Sequence, residues 1–288
     1  MFRTSFAAAL SVASVSAIPT AIFHGLGDAC IYPGMHSFTK DIADQTGDYA
    51  KCLEVGNGSI TSMTDNFMDQ AEKACNKLLA DDNFANADEF NVMGLSQGAL
   101  LARYIVESCP IQGKVRNWAS IGGPNMGVAD IPHCFNGFIC NIVNSVARDF
   151  VYTSLIQNMI GPAGYFRDVA HEKQYLAGSV FLPHLNNEED DDETKAARKS
   201  RFSALNGALL MMFTEDTMVY PKESEWFQEL NEDGTLQPLE DSDFYKNNYL
   251  GLKTLNEAGK VQFVSVVGDH LQFTEEDITN TIVPFLMS

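Results

Sequence analysis

The run Glu89-Phe90-Asn91-Val92-Met93 leads into Gly94-Leu95-Ser96-Gln97-Gly98. Ala99 to Glu107 follows, with Leu100, Leu101, Tyr104 and Ile105. The first run is short and apolar and reads as a strand, and the last has the spacing of a helix. Between them stands Gly-x-Ser-x-Gly. In a strand–turn–helix setting this pattern makes a sharp turn that strains the serine backbone and presents its hydroxyl at the top of a sheet. The flanking glycines let strand and helix approach without a Cβ clash. The helix N-terminus favours negative charge developing beside it. Ser96 is therefore the candidate nucleophile.

Working outward, Thr20 to Phe23 reads as a buried strand that ends in the loop His24-Gly25-Leu26-Gly27. A helix is predicted around His36 to Asp44, a strand around Tyr49 to Val55, an amphipathic helix over Met63 to Leu79, and a strand over Val115 to Ile121. Alternation of this kind predicts an α/β fold, with a mostly parallel sheet covered by helices on both faces. The alternation lapses from about Pro124 to Asn206 and resumes with strands at Ala208 to Phe213 and Val261 to Val267 and a helix at Glu275 to Leu286. The lapse is too long for a plain loop. It reads as a largely helical cap inserted over the C-terminal edge of the sheet, where open α/β sheets bind ligands. Its apolar residues Phe150, Leu155, Ile156, Met159, Ile160 and Phe166 either line an acyl groove or form the core of the cap.

A serine hydroxyl needs a base to take its proton. In this arrangement the order along the chain is Ser, then Asp or Glu, then His. Of the six histidines, His24 and His36 precede Ser96, and His133, His171, His184 and His270 follow it. Only His270 comes just after a strongly predicted strand, in Val267-Gly268-Asp269-His270, where its loop meets the same sheet edge as Ser96. The acid should end the strand between, and Phe213-Thr214-Glu215-Asp216 supplies Asp216, with Glu215 in reserve. Asp269 adjoins His270 in sequence and is a poor orienting partner. Two backbone N–H groups are needed for the oxyanion: Gln97, after the nucleophile, and Leu26, in the loop after the first strand. None of this chemistry calls for a metal or a cofactor.

The 288 residues carry 38 Asp+Glu against 19 Lys+Arg, a net charge of −19. That argues against nucleic-acid partners and against docking on anionic lipid. Residues 1–17 open with Arg3, continue through an apolar run and end in Val15-Ser16-Ala17, the pattern of a secretory signal peptide. The predicted mature chain starts near Ile18 as a single domain, lumenal and without a transmembrane segment. In such a compartment Cys30, Cys52, Cys75, Cys109, Cys134 and Cys140 can pair, though the sequence alone does not choose the pairing. Asn57-Gly58-Ser59 is a candidate glycosylation site. The acidic run Glu188 to Glu193 lacks the spacing and glycine turn of a calcium loop and reads as a solvated, mobile loop.

Several segments together resemble one family. They are His24-Gly25-Leu26-Gly27-Asp28, Met93 to Gly98, Ser108-Cys109-Pro110, Ser224-Glu225-Trp226-Phe227, Gly251-Leu252-Lys253 and Gly268-Asp269-His270-Leu271-Gln272. From about Ala21 to Leu286 the chain is similar to the lysosomal palmitoyl-protein thioesterases. The resemblance implies an α/β-hydrolase fold. It implies removal of long-chain fatty acyl groups from the cysteine thioesters of S-acylated proteins or peptides, in the lysosome or outside the cell. It places the triad on Ser96, Asp216 and His270. It also implies the pairs Cys75–Cys109 and Cys134–Cys140, leaving Cys30 and Cys52 as a pair by subtraction. The chain departs from the family after Gly123, where Pro124-Asn125-Met126 replace polar residues that include a glutamine; this bears on acyl-chain preference. The competing expectations are a lipase or carboxylesterase acting on oxyesters with the same triad, and a catalytically silent acyl-binding protein.

Overall fold

The computed structural model describes residues 18–111, 113–130 and 150–288. The predicted signal peptide, His133 and the Cys134–Cys140 pair lie outside them. Strands come where the apolar runs place them: β1 (Thr20–Phe23), β2 (Ala50–Cys52), β3 (Glu89–Leu95), β4 (Lys114–Ile121) and β5 (Gly207–Phe213). A two-stranded antiparallel hairpin, β6 (Glu229–Leu230) with β7 (Leu236–Gln237), precedes the last strand, β8 (Val261–Val266). The other six strands form one parallel sheet in the order β2-β1-β3-β4-β5-β8. Neighbouring parallel strands need long crossovers. Helices supply them, including α1 (Pro33–Thr46), α2 (Ser59–Thr64), α3 (Phe67–Leu79), α4 (Asp82–Ala85) and α5 (Gln97–Ser108).

Both faces of the sheet are covered, so the central strands are apolar throughout rather than alternating. On β3, Phe90 and Val92 join a core with Phe67, Leu78, Leu100 and Trp118. Met93 and Leu95 join the opposite core with Phe38, Ile42, Ile282 and Phe285. Helix Asp192–Ser203 lies on the first face, where Phe202 meets Trp118 of β4 edge-on at 5.6 Å. This helix is therefore part of the layer over the sheet, although it falls in the stretch expected as cap. Cys30–Cys52 and Cys75–Cys109 are disulfide-bonded, with Cα separations of 5.5 and 5.6 Å. The first ties the loop after β1 to β2, and the second ties α3 to the end of α5.

Two expectations are corrected, and one left open is resolved residue by residue. The helix predicted over Met63 to Leu79 is two helices, α2 and α3, separated at extended Asp65 and Asn66. The Asn66 side chain accepts the N–H groups of Met68 and Asp69 and so starts α3 afresh. Asn66→Ala is expected to lower stability by about 1 kcal/mol, seen as a lower thermal midpoint; an unchanged midpoint would deny the cap its role.

The acidic run, expected as a mobile loop, is tied down. Glu188 binds Arg167 at 2.7 Å and accepts from the Tyr175 hydroxyl at 2.6 Å. Asp190 pairs with Arg198 and His184. Asp191 caps helix Asp192–Ser203 through the Thr194 N–H. Glu188 and Asp190 are held because basic residues on either side of the run in sequence, Arg167, His184 and Arg198, meet them.

The apolar residues of the insertion divide. Phe166 is buried, and Ile156 and Ile160 pack against the core, whereas Phe150, Leu155 and Met159 are exposed. Neither a uniform groove nor a uniform core describes them.

Candidate active site

The site grows from the turn between β3 and α5. Ser96 adopts φ 53°, ψ −127°, a conformation that non-glycine residues rarely take. Glycine on either side makes the turn possible. A Cβ on Gly94 would sit 2.1 Å from the Gly98 carbonyl oxygen, and one on Gly98 would sit 2.3 Å from that of Phe23. The Ser96 N–H donates to the Ile121 carbonyl at 2.8 Å, which fastens the turn to the end of β4. The serine Oγ is thus lifted to the C-terminal edge of the sheet, where the loops after β5 and β8 also end.

Those loops bring Asp216 and His270 to it. His270 Nε2 lies 2.8 Å from Ser96 Oγ, and His270 Nδ1 lies 2.5 Å from Asp216 Oδ2. Asp216 Oδ1 accepts the N–H groups of Met218 and Val219 at 2.7 and 2.8 Å. Burial works against the charged form of Asp216. Hydrogen bonds from His270 and the Val219 N–H, with the attraction of His270 and the neighbouring Glu225 carboxyl, outweigh it and hold the carboxyl below the ordinary aspartate range. Glu215, the reserve acid, is exposed. Asp269 faces away from the imidazole: it accepts the Thr217 N–H and hydroxyl at 2.8 and 2.9 Å and the His270 N–H at 2.7 Å. It thereby staples the His270 loop to the Asp216 loop.

The loop after β1 closes against the serine. A Cβ on Gly25 would lie 3.2 Å from the Ser96 Cβ and 3.8 Å from its Oγ. Among the described residues, neither the Leu26 nor the Gln97 N–H is engaged in a hydrogen bond. The Gln97 side chain fixes its own backbone. It donates to the Ser62 carbonyl at 3.1 Å and to Gln70 Oε1 at 3.3 Å, and accepts from the Tyr165 hydroxyl at 2.9 Å. His24, set aside in the sequence because it precedes the serine, braces the loop. It is buried, with Nε2 2.7 Å from Glu54 Oε1, and Glu54 Oε2 accepts the Cys30 N–H at 2.8 Å.

Glu225 is the residue the sequence reading left without a role beyond the segment it belongs to. It is fully buried in the 3-10 turn Lys222–Trp226 and lies against Asp216. Burial, then the neighbouring Asp216 carboxylate, push the Glu225 carboxyl up to about 11. Asp216, Glu225 and His270 are close enough together to suggest a metal set, but the imidazole is taken up by Ser96 and Asp216. The second such cluster, His24, Cys30 and Glu54, lacks a thiolate because Cys30 is in a disulfide. A cavity of about 690 Å³ opens elsewhere, around Arg167, Glu188 and Tyr249, and none of Ser96, Asp216 or His270 lines it.

Known proteins align with this chain over nearly its whole length. The family model described as palmitoyl protein thioesterase matches residues 19–270. Palmitoyl-protein thioesterase 1 of Caenorhabditis elegans is 32% identical over 276 residues, covering 92% of this chain and 90% of that protein. Palmitoyl-protein thioesterase 3 of Dictyostelium discoideum is 30% identical over 291 residues, covering 97% and 96%. A palmitoyl-protein thioesterase–dolichyl pyrophosphate phosphatase fusion of Schizosaccharomyces pombe is 30% identical over 275 residues, covering 93% of this chain and 43% of the fusion. With a parallel α/β sheet, a strained serine turn and a family match from residue 19 to residue 270, the chain belongs to the palmitoyl protein thioesterase family.

Proposed function

We propose that this chain hydrolyses long-chain fatty acyl thioesters of the palmitoyl-cysteine type through an acyl-enzyme on Ser96. One observation carries the proposal: the hydrogen-bonded chain from Ser96 Oγ through His270 to Asp216, in a member of this family. His270 Nε2 takes the hydroxyl proton as Ser96 Oγ attacks the thioester carbonyl. The N–H groups of Leu26 and Gln97 receive the oxyanion, and Asp216 steadies the imidazolium through Nδ1. The cysteine thiol has an ordinary pKa of about 8.5, so it leaves as a thiolate with little need of a general acid, and the proton held by His270 passes to the departing sulfur, which leaves the imidazole neutral. Water, deprotonated by His270, then attacks the acyl-serine carbonyl. The fatty acid leaves, and the proton returns to Ser96.

The substrates in this reading are S-acylated proteins or peptides, with the residues between β4 and the Asp192–Ser203 helix serving as cap. We read residues 1–17 as a signal peptide and the destination as the lysosome or the cell exterior. The disulfides fit an oxidising compartment, and no helix among the described residues is long and apolar enough to cross a membrane. Exposed Asn57 is the proposed glycosylation site.

The test pairs a palmitoyl-cysteine thioester with its matched serine oxyester. Thioester turnover is expected to exceed oxyester turnover by more than about tenfold, a difference of 1.4 kcal/mol in the barrier. Equal or faster oxyester turnover would instead make the chain a lipase or carboxylesterase. Failure of a fluorophosphonate to label Ser96 in folded, disulfide-bonded protein would leave only acyl binding.

A further inference from the structure

The Ser224-Glu225-Trp226-Phe227 segment has no part in the mechanism above, yet it is clamped beneath it at four points. Ser224 Oγ donates to the Gly127 carbonyl at 2.6 Å and accepts the Met126 N–H at 3.0 Å. Asn125 Nδ2 donates to the Glu225 carbonyl at 2.9 Å, and Trp226 Nε1 donates to the Leu210 carbonyl of β5 at 3.0 Å. This bracket carries the Glu225 side chain into the space under Asp216. There Glu225 Oε2 accepts the Phe213 N–H at 3.1 Å, and Oε1 meets no hydrogen-bond donor. A buried carboxylate oxygen without a donor is costly. A carboxylic acid at that position has no such deficit, because its own proton has the Asp216 carboxylate to bind.

We propose that Glu225 is a positioning residue of the site: as a neutral acid it donates a hydrogen bond to Asp216 and so sets the orientation and the charge that Asp216 presents to His270. The proposal rests on the triad reading above. Two carboxyls in contact away from water do not both ionise, and the proton belongs on Glu225. Burial and the neighbouring Asp216 charge raise Glu225, while Asp216 is held low by the bonds it receives. The charged and titratable groups bearing on this pair are His270, Asp269 through Thr217, and Glu223. With the donor in place, Asp216 remains ionised but draws less strongly on a proton of the imidazole. The acid limb of the pH–rate profile is therefore expected at lower pH with this donor present than without it. For an enzyme proposed to work in an acidic organelle, that extends the working range downward.

The test uses the full chain with Glu225→Gln and Glu225→Leu, Ser96→Ala as control, and kcat and KM for a palmitoyl thioester followed from about pH 4 to pH 8, the span in which a histidine base titrates. Glutamine keeps both bonds, accepting from Phe213 and donating to Asp216. Its acid limb is expected within about half a pH unit of the parent's and its kcat within about threefold. Leucine removes the donor. Its kcat is expected to fall about 10- to 100-fold at little change in KM, with the acid limb about one unit higher. A leucine profile that superposes on the parent's would overturn the proposal. So would a glutamine profile displaced downward by a unit, the sign of a lost negative charge.

Thermal unfolding supplies a readout independent of turnover and of whether the leucine variant folds. Glu225 takes up a proton on folding at pH values above the ordinary 4.5 and below about 11. Its contribution to stability is therefore full below 4.5 and is lost as pH rises towards 11. The parent is expected to lose more of its melting temperature than Glu225→Gln between pH 5 and pH 8. Parallel curves would overturn the proposal even if the parent proved inactive on thioesters, an outcome that by itself would count only against the function proposed above.

Discussion

Ser96→Ala is expected to reduce turnover of a palmitoyl thioester by about 10⁴- to 10⁶-fold while the protein stays folded. The structure makes the substitution a clean deletion. Alanine has the same Cβ, so the strain at φ 53° is already present in the parent and does not grow. The change removes one oxygen and one hydrogen bond, that to His270 Nε2 at 2.8 Å. The His270–Asp216 bond, the Gly25 contact and the two N–H groups are left in place. What remains is the weak catalysis available from the oxyanion donors and from binding. In the proposed mechanism serine and histidine act as one unit, so adding His270→Ala to Ser96→Ala is expected to lower the rate by less than about tenfold more. Single-turnover kinetics with a palmitoyl thioester measure both. Retention of more than about 1% of the parent rate by Ser96→Ala would remove this serine from the reaction.

The strand–turn–helix core was legible because local pattern and global position agree there. An apolar run, two obligatory glycines and a helical run stand next to one another, and each has one structural reading. The order Ser96, Asp216, His270 was legible for the same reason: each residue follows a readable strand, and the strands are parallel, so their ends share one edge. The break between α2 and α3 was also present in the sequence, as an Asp65-Asn66 pair inside an apolar pattern, but the periodicity of Met63 to Leu79 outweighed it. Glu225 and Arg103 were not legible. A charged residue in a sequence reads as surface, and only the assembled chain shows that each is buried against a polar partner contributed from elsewhere. The acidic run failed the reading in the same way, since Arg167 and Arg198 that hold it lie outside it in the chain. Long-range charge pairing leaves no periodic trace, whereas burial of apolar residues does.

Arg103 carries the second large expectation. It stands on α5, two turns beyond Ser96, and is fully buried. Its Nε donates to Glu107 Oε1 at 2.6 Å, Nη1 to the Asn125 carbonyl at 2.9 Å, and Nη2 to the Leu185 carbonyl at 2.7 Å and Asn186 Oδ1 at 2.9 Å. The guanidinium also lies 4.9 Å from the centre of the Phe227 ring. One side chain therefore joins α5, the loop after β4, the helix Leu182–Leu185 and the segment that carries Glu225. Burial lowers the Arg103 pKa against the pull of Glu107, and burial raises Glu107 to about 7 against the pull of Arg103. A guanidinium does not give up its proton in proteins, and this one uses three nitrogens as donors, so Arg103 stays charged.

Arg103→Met then removes the one cation hydrogen-bonded to the buried Glu107 carboxyl, leaving it only the weaker attraction of Arg198, and two carbonyls and one amide oxygen lose a donor. The expected loss is about 3–5 kcal/mol, a large part of the roughly 5–15 kcal/mol that holds a domain folded. The pH dependence follows from Glu107. Without the guanidinium its folded carboxyl rises further above the ordinary 4.5. The variant therefore keeps most stability below that value and loses it as pH rises. Urea unfolding at pH 4 and pH 7 should show a smaller deficit at pH 4. Adding Glu107→Leu should recover about 1–3 kcal/mol at pH 7, because the stranded charge is gone, although the Asn125 and Leu185 carbonyls remain without their donor. A deficit below about 1 kcal/mol, the worth of an exposed ion pair, or one that neither acid nor Glu107→Leu reduces, would mean that the buried guanidinium does not hold these four segments together.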